Sequence, residues 1–89
     1  MKLTELKQKA NEIAETYGIK KENVTVMASI FGVHNGEMLS YTCQAWVSKI
    51  SKHVSNKGIE SPEIALIAFK DALEFNLKEY ESEKKDIEI

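Results

Sequence analysis

The stretch that decides the fold is residues 24–47, which read VTVMASIFGV, then HNGE, then MLSYTCQAWV. Two apolar segments flank a turn sequence that contains Asn35-Gly36. Asn-Gly favours a two-residue type I′ turn, because both residues tolerate a positive φ angle. This turn predicts a β-hairpin whose register places Val26 opposite Ala45.

The predicted register separates the hairpin into two faces of different chemistry. Side chains alternate between the faces of a strand, so opposed residues share a face. One face is almost wholly apolar and is expected in the core: Val24, Val26, Ala28, Ile30, Leu39, Tyr41, Cys43, Ala45 and Val47. The outer face carries Thr25, Met27, Ser29, Phe31, Ser40, Thr42, Gln44 and Trp46. Thr25 is expected opposite Trp46 with Met27 on the diagonal, so that the large apolar residues of this face form one surface.

Both ends of the chain carry the signals of helices. Ser61, Pro62 and Glu63 combine an N-cap residue, a first-turn proline and a first-turn acid. They predict a helix over residues 62–83, followed by a charged tail at 84–89. Near the start of the chain, Gly18 has the place of a C-cap residue after apolar residues at helical spacing, which predict a helix over residues 3–17: Leu3, Leu6, Ala10, Ile13, Ala14 and Tyr17.

The second predicted helix is apolar over a wide arc of roughly 220°, about twice what one contact with a core requires. A helix of this kind needs two neighbours. The part of the arc that we expect to contact either the first helix or another chain holds Leu66, Leu73, Leu77 and Tyr80.

The segment between the hairpin and the second helix is the least informative. Residues 48–58 are polar, with Ile50 and Val54 as their strongly apolar members. We expect the second strand to continue to Lys49 and a short third strand over residues 52–56. The predicted fold class is α+β, a single domain of order α-β-β-β-α with an antiparallel three-stranded sheet and both helices on one face. A chain of 89 residues suffices for one modest core.

The composition narrows the range of functions. The net charge is −2, and all twelve basic residues are lysines. The chain lacks arginine, the side chain best suited to bidentate contacts with phosphate and guanine. The single cysteine excludes an internal disulfide, and Cys43 is expected to be a small buried hydrophobe. No apolar run is long enough for a membrane span, so we expect a cytoplasmic protein without membrane contact.

The order of the elements and three short motifs resemble the double-stranded-RNA-binding domain over nearly the whole chain. Gly32-Val33-His34 resembles the family's Gly-Pro-x-His loop, and Tyr41-Thr42-Cys43 resembles its Phe-Thr-Val. Ser61 to Leu66 has the place of its Ser-Lys-Lys-x-Ala-Lys. The lysines of that motif grip phosphates, whereas this chain has Pro62, Glu63 and Leu66, and a glutamate at a helix start repels phosphate. The resemblance implies the family's topology without its lysine site.

Polar candidates for a site are few. His34 and His53 have no third ligand at a fixed spacing, so neither metal binding nor catalysis is expected. No nucleophile-base pair, phosphate loop or pair of carboxylates stands at a meaningful spacing, so we expect neither an enzyme nor a cofactor. One basic patch holds Lys49, Lys52, His53 and Lys57. It is either a strand edge guarded by lysines or, with His34, a contact for nucleic acid or an acidic partner protein.

The outer face of the hairpin gives the leading functional hypothesis. Met27, Phe31 and Trp46, with Gln44 in a polar rim, are typical of an interface core, while burial under the C-terminal segment and chance exposure are the alternatives. We expect a non-enzymatic interaction protein, a homodimer that also binds an unidentified protein. In size and charge the chain resembles small accessory proteins of phages and mobile elements, some of which inhibit host machinery. The alternative function is a module for double-stranded nucleic acid that uses the loop at 32–34 and the basic patch.

Overall fold

The structure, a computed structural model, describes residues 1–33 and 36–87, with the side chains of residues 1–30, 32 and 36–83. Two helices, α1 (Leu3–Thr16) and α2 (Pro62–Ile87), flank three strands, β1 (Val24–Val33), β2 (Gly36–Val47) and β3 (Lys52–Ile59). A 3-10 turn at Lys21–Asn23 leads into β1. The strands form one antiparallel sheet in the order β1-β2-β3. The predicted α+β class and the order α-β-β-β-α are confirmed.

The register of the hairpin differs from the prediction by two residues. Val26 lies opposite Cys43 instead of Ala45, and pairing continues to Val33 opposite Gly36. Gly36 therefore belongs to β2, where its φ of 147° is a conformation that favours glycine. Of the predicted turn His34-Asn35-Gly36-Glu37, His34 and Asn35 lie outside the described residues. A shift of two residues preserves the faces, because side chains alternate with a period of two.

The remaining boundaries also depart from the sequence patterns. β2 ends at Val47, before Lys49, and a four-residue turn at residues 48–51 contains Ser51 with a φ of 50°. β3 spans eight residues and pairs with β2 along its whole length, so it is longer than the strand predicted at 52–56. α2 continues to Ile87, which places residues 84–87 of the predicted tail in the helix.

The structure contains the C-cap predicted for α1 and the N-cap predicted for α2, although α1 ends at Thr16, one residue before the predicted end. After α1, the Ile19 N–H donates to the carbonyl of Ala14 and the Gly18 N–H to that of Glu15, with Gly18 at a φ of 77°. This pair of hydrogen bonds defines a Schellman C-cap. At the start of α2, the Ile64 N–H donates to Ser61 Oγ at 3.2 Å, so Ser61 is the N-cap residue.

The core lies between one face of the sheet and the two helices. Its largest fully buried side chains are Phe69, Leu6, Leu73, Val24 and Cys43. The sheet residues of the core all come from the predicted apolar face and its continuation in β3, so α1 and α2 pack on the same face: Val24, Cys43, Ala45, Val47 and Val54.

Two residues predicted for an interface belong to this core instead. Leu66 is 8% exposed and Leu73 is fully buried, because α1 supplies the second neighbour that the wide apolar arc of α2 requires. Leu77 packs against the same core and is half-buried, as is Tyr80. The sequence left open whether the first helix or another chain contacts this arc, and in the structure the first helix does.

The helices cover only part of the predicted core face. Ala28, Ile30 and Leu39 belong to that face but are exposed, Ile30 to 65%. They lie in the distal part of the hairpin, residues 28–33 and 36–39, which we call the arm. The expectation that the whole apolar face is buried is wrong for the arm, because both helices pack on the base of the hairpin.

Candidate protein-binding surface

The face of the sheet opposite the helices is uncovered in the part of the chain that the structure describes. Its exposed large apolar side chains are Met27 at 41%, Trp46 at 37% and Ile59 at 53%. Phe31 has a register position on this face, opposite Met38, and its side chain lies outside the described residues. The alternative that the C-terminal segment buries Trp46 is wrong for residues 62–87, because α2 packs on the other face.

Trp46 is the centre of the candidate site at the base of the hairpin. It lies opposite His53 of β3, and the two ring centroids are 4.9 Å apart with the planes tilted by 60°. A tilted arrangement at this distance is favourable for aromatic pairs. The indole is held by its neighbour while more than a third of it contacts solvent.

The two-residue shift in register separates residues that the sequence places together. Thr25 lies opposite Gln44, not Trp46, and Met27 lies opposite Thr42. Trp46 is thus four positions along the strand from the point opposite Met27, roughly 13 Å at the usual rise. The prediction of one continuous cluster is wrong. The outer face has an apolar site at each end, Trp46 at the base and Met27 nearer the arm, with threonine and glutamine between them.

The electrostatics of this face are one-sided. Of its described side chains, only Lys57 and His53 are titratable, and none is acidic. Serine, threonine and glutamine hydroxyl and amide groups make up the rest of its polar surface. A partner can therefore cover the face without burying a carboxylate, which would be costly unless paired.

The basic patch does not form one surface. His53 and Lys57 lie on the outer face of β3, whereas Lys52 lies on the opposite face and lines a cleft with Glu79 and Glu83. Lys49 forms an ion pair of 3.9 Å with Glu81, and both side chains are largely exposed. His34 lies outside the described residues. Among the described members of the predicted nucleic-acid contact, the structure brings only His53 and Lys57 onto one face.

The start of α2 also lacks the chemistry of a phosphate site. Glu63 is exposed there, while Pro62 and Leu66, at two positions where the resembled family has lysines, are buried. Leu66 packs into the core, so its side chain is turned away from any ligand in solvent.

The titratable and nucleophilic groups of the interior are inert at neutral pH. Burial raises the pKa of Cys43 to about 11, which keeps the thiol protonated. Burial and a 2.7 Å hydrogen bond from Tyr17 Oη to Glu74 raise the pKa of Tyr17 to about 12, and this bond ties α1 to α2. Among residues 1–33 and 36–87, no group of three or more His, Cys, Asp and Glu side chains is placed to hold a metal ion. No helix in that part of the chain is long and apolar enough to cross a membrane.

Sequence reasoning missed a second set of exposed apolar residues. Ile64, Ile67 and Phe75 lie on the solvent side of α2 and are 55–62% exposed. Ile64 and Phe75 lie at the edge of the wide apolar arc, and this position was the one sequence feature that could have indicated their exposure. The arc alone does not distinguish its buried centre from its exposed margin.

No protein-family model, curated protein or solved structure matches this chain. The topology is consistent with that of the double-stranded-RNA-binding domain. Function is therefore inferred from the chemistry of the surfaces described above.

Proposed function

We propose that this protein is a non-enzymatic interaction module that binds another protein through the outer face of its sheet. The observation that carries the proposal is an uncovered sheet face with exposed Trp46, Met27 and Ile59 and no acid among its described side chains. Large apolar side chains exposed among hydroxyl and amide groups, without acids, are typical of a protein interface.

Trp46 is the proposed anchor of this face. Tryptophan is enriched among the few residues that supply most of the binding energy of an interface, and its contact with His53 at 4.9 Å limits the freedom that binding would remove. Met27 adds a flexible thioether that adapts to different partner shapes. The proposal includes self-association, because a chain that presents this much apolar surface favours a homodimer as well as a heterologous partner.

The biological role that fits such a module is that of an accessory or inhibitory protein. Small proteins of phages and mobile elements, which this chain resembles in size and charge, include inhibitors that bind host machinery. The genes that neighbour the coding sequence test this role, since a phage or mobile-element context would support it and a conserved housekeeping operon would oppose it.

The binding surface is tested by comparing Trp46→Ala with a matched control on the other side of the molecule, Ile67→Ala. Each chain is immobilised and partners are captured from a lysate of the source organism, after which the affinity for each captured protein is measured. Trp46→Ala should lose about 2 kcal/mol or more, roughly 30-fold in Kd, because the aromatic anchor of the face is removed. Ile67, exposed on α2, should be replaceable without effect.

The folded state of both variants is measured by urea denaturation, since Trp46 lies on the solvent side of the sheet and its loss should leave the core intact. A partner whose affinity falls with Ile67→Ala and is unchanged by Trp46→Ala would contradict the proposal and place the binding surface on α2.

A further inference from the structure

β1 is an edge strand with the features of a pairing surface. It is ten residues long, its single strand neighbour in the described part of the chain is β2, and it contains neither a charged residue nor a proline. β3, at the other edge, carries Lys52 and Lys57. Natural proteins protect edge strands with lysine, proline or short length, because the unpaired backbone groups of an edge bind other strands. β1 has none of these protections.

The same strand carries a protruding side chain and a groove. Ile30, on the helix side of the arm, is 65% exposed. Four residues earlier and on the same face, Val26 lines a groove with Leu3, Thr4 and Lys7 of α1. No residue of β2 lines this groove, so it lies between α1 and the edge strand. Its volume of about 270 Å³ is below the range of roughly 300–1,000 Å³ that small-molecule sites occupy.

We propose that β1 pairs antiparallel with β1 of a second copy, about a twofold axis at Ala28, to form a continuous six-stranded sheet. In this register Ala28 lies opposite its own counterpart, and Ile30 of each chain lies opposite Val26 of the other, on the same face. Each Ile30 then enters the groove between Leu3 and Val26 of the partner copy. One symmetric contact fills both grooves and covers both isoleucines, which is the requirement of an isologous interface.

The charges of the strand ends complement each other in this arrangement. Glu37 is the one charged residue between Asn23 and Lys49, and it lies opposite Gly32 near the end of the arm. Gly32 comes opposite Val24 of the second copy, so the arm's carboxylate approaches the segment before β1, where Lys20 and Lys21 outnumber Glu22. The paired strands themselves hold no charge that would have to be desolvated.

The surface involved suits a dimer of modest affinity. A standard interface takes about 800 Å² from each partner, which would be about an eighth of this chain's surface of 6284 Å². Buried area does not set affinity, so the test is designed for a Kd as weak as the micromolar range. This inference rests on the self-association included in the proposed function, but it uses the edge of the sheet and not the outer face. The dimer would place two outer faces side by side.

The test is sedimentation of the full chain, with charges placed on the proposed axis. The native chain should reach twice its 10.1 kDa at about 500 μM, well above a micromolar Kd. Ala28→Lys and Ala28→Glu, each alone, should weaken association about a hundredfold or more, because two like charges meet across the axis. An equimolar mixture of the two variants should restore a dimer. Ala28 is exposed, so neither change touches the core, and Ser55→Lys on the exposed face of β3 is the matched control at the other edge.

Each other outcome overturns the inference in a recognisable way. Dimers of native affinity from both single variants would exclude pairing at Ala28. If Trp46→Ala dissociates a dimer that the Ala28 variants leave intact, the outer face holds the copies together and the proposed function survives without the edge contact. If the native chain stays monomeric at about 500 μM, self-association is removed from the proposed function and from this inference. The capture of a heterologous partner through Trp46 is then the remaining test of the proposed function.

Discussion

Replacement of Gly58 by alanine should destabilise the protein strongly, because β3 passes against the start of α2 with no room for a side chain. A Cβ at position 58 would lie 2.5 Å from the backbone nitrogen of Ala65 and 3.0 Å from its Cα, and it would overlap the carbonyl oxygen of Ser61. All three obstructing atoms belong to the backbone. They cannot move by a change of rotamer, so the first turn of α2 has to move away from the sheet.

The magnitude follows from what that movement disrupts. Overpacking typically costs about 1–3 kcal/mol, and a rigid backbone obstruction favours the upper end. The displaced segment also includes the Ser61 N-cap hydrogen bond at 3.2 Å, a contact of the kind that contributes about 1 kcal/mol. A loss of about 3 kcal/mol would be a large fraction of the stability of a small domain. It would lower Tm by roughly 12–24 °C at 4–8 °C per kcal/mol.

Urea and thermal denaturation measure the effect, with Gly32→Ala as the matched control. Gly32 lies in the same sheet, is exposed, has no heavy atom within 4 Å of an added Cβ and has no positive φ. Alanine there should be neutral or stabilise the protein by about 0.4–1 kcal/mol, because it restricts the unfolded chain. Equal losses at the two glycines, or a loss below about 0.5 kcal/mol at Gly58, would refute the close approach of β3 to α2.

Two further predictions concern pH and nucleic acid. The free energy of unfolding should fall as pH rises from 9 to 11, because buried Cys43 keeps its proton up to about pH 11 while the unfolded thiol loses it from pH 9 upward. The loss at pH 11 should be about 2 kcal/mol, and Cys43→Ala should not show it, as measured by urea denaturation. Tyr17→Phe is present in both compared chains, because the raised pKa of Tyr17 would otherwise add to the loss. Duplex RNA should bind no tighter than about 10⁻⁴ to 10⁻⁶ M at physiological salt, by fluorescence anisotropy, since Glu63 is exposed at the start of α2. Submicromolar, salt-sensitive binding by the native chain would favour the nucleic-acid module instead. Glu63→Lys should raise the affinity for duplex RNA, because it replaces the acid at the start of α2 with a lysine.

Local signals in the sequence account for most of the fold. The N-cap at Ser61 and the C-cap at Gly18 depend on neighbouring residues alone, and the structure contains both. The assignment of residues to faces is equally robust, because it depends on parity and survives a shift of two positions. Asn35-Gly36 alone did not predict the register, because the register depends on pairing along both strands. In the structure this pairing extends to Val33 opposite Gly36, so that Gly36 is a strand residue.

The candidate site was predicted less well than the fold. Trp46 and Met27 were correctly expected on an open face, but their separation along the sheet follows from the register. Helical periodicity places Leu66 and Leu73 in an apolar arc without saying what covers them, and the neighbour proved to be α1. The alternation of apolar residues along β1 likewise gives no information on how far along the hairpin the helices reach.

The reach of the helices is set by the point at which α2 begins. Gly58 lies opposite Tyr41, and its close contact with Ser61 and Ala65 fixes the start of α2 at that level of the sheet. The ion pair of Lys49 with Glu81 shows that α2 then runs toward the base of the hairpin, away from the arm. Every residue beyond Tyr41 on the helix face, including Leu39 and Ile30, therefore lies past the end of the helical layer.

α1 does not compensate for this. Its 14 residues span about 21 Å, against roughly 40 Å for the 12 residues of β2. The bare arm is thus a consequence of helix length and of the N-cap position, both of which are encoded locally. The proposed pairing of two β1 strands would cover the exposed Ile30 of this arm in the groove that Leu3 and Val26 line.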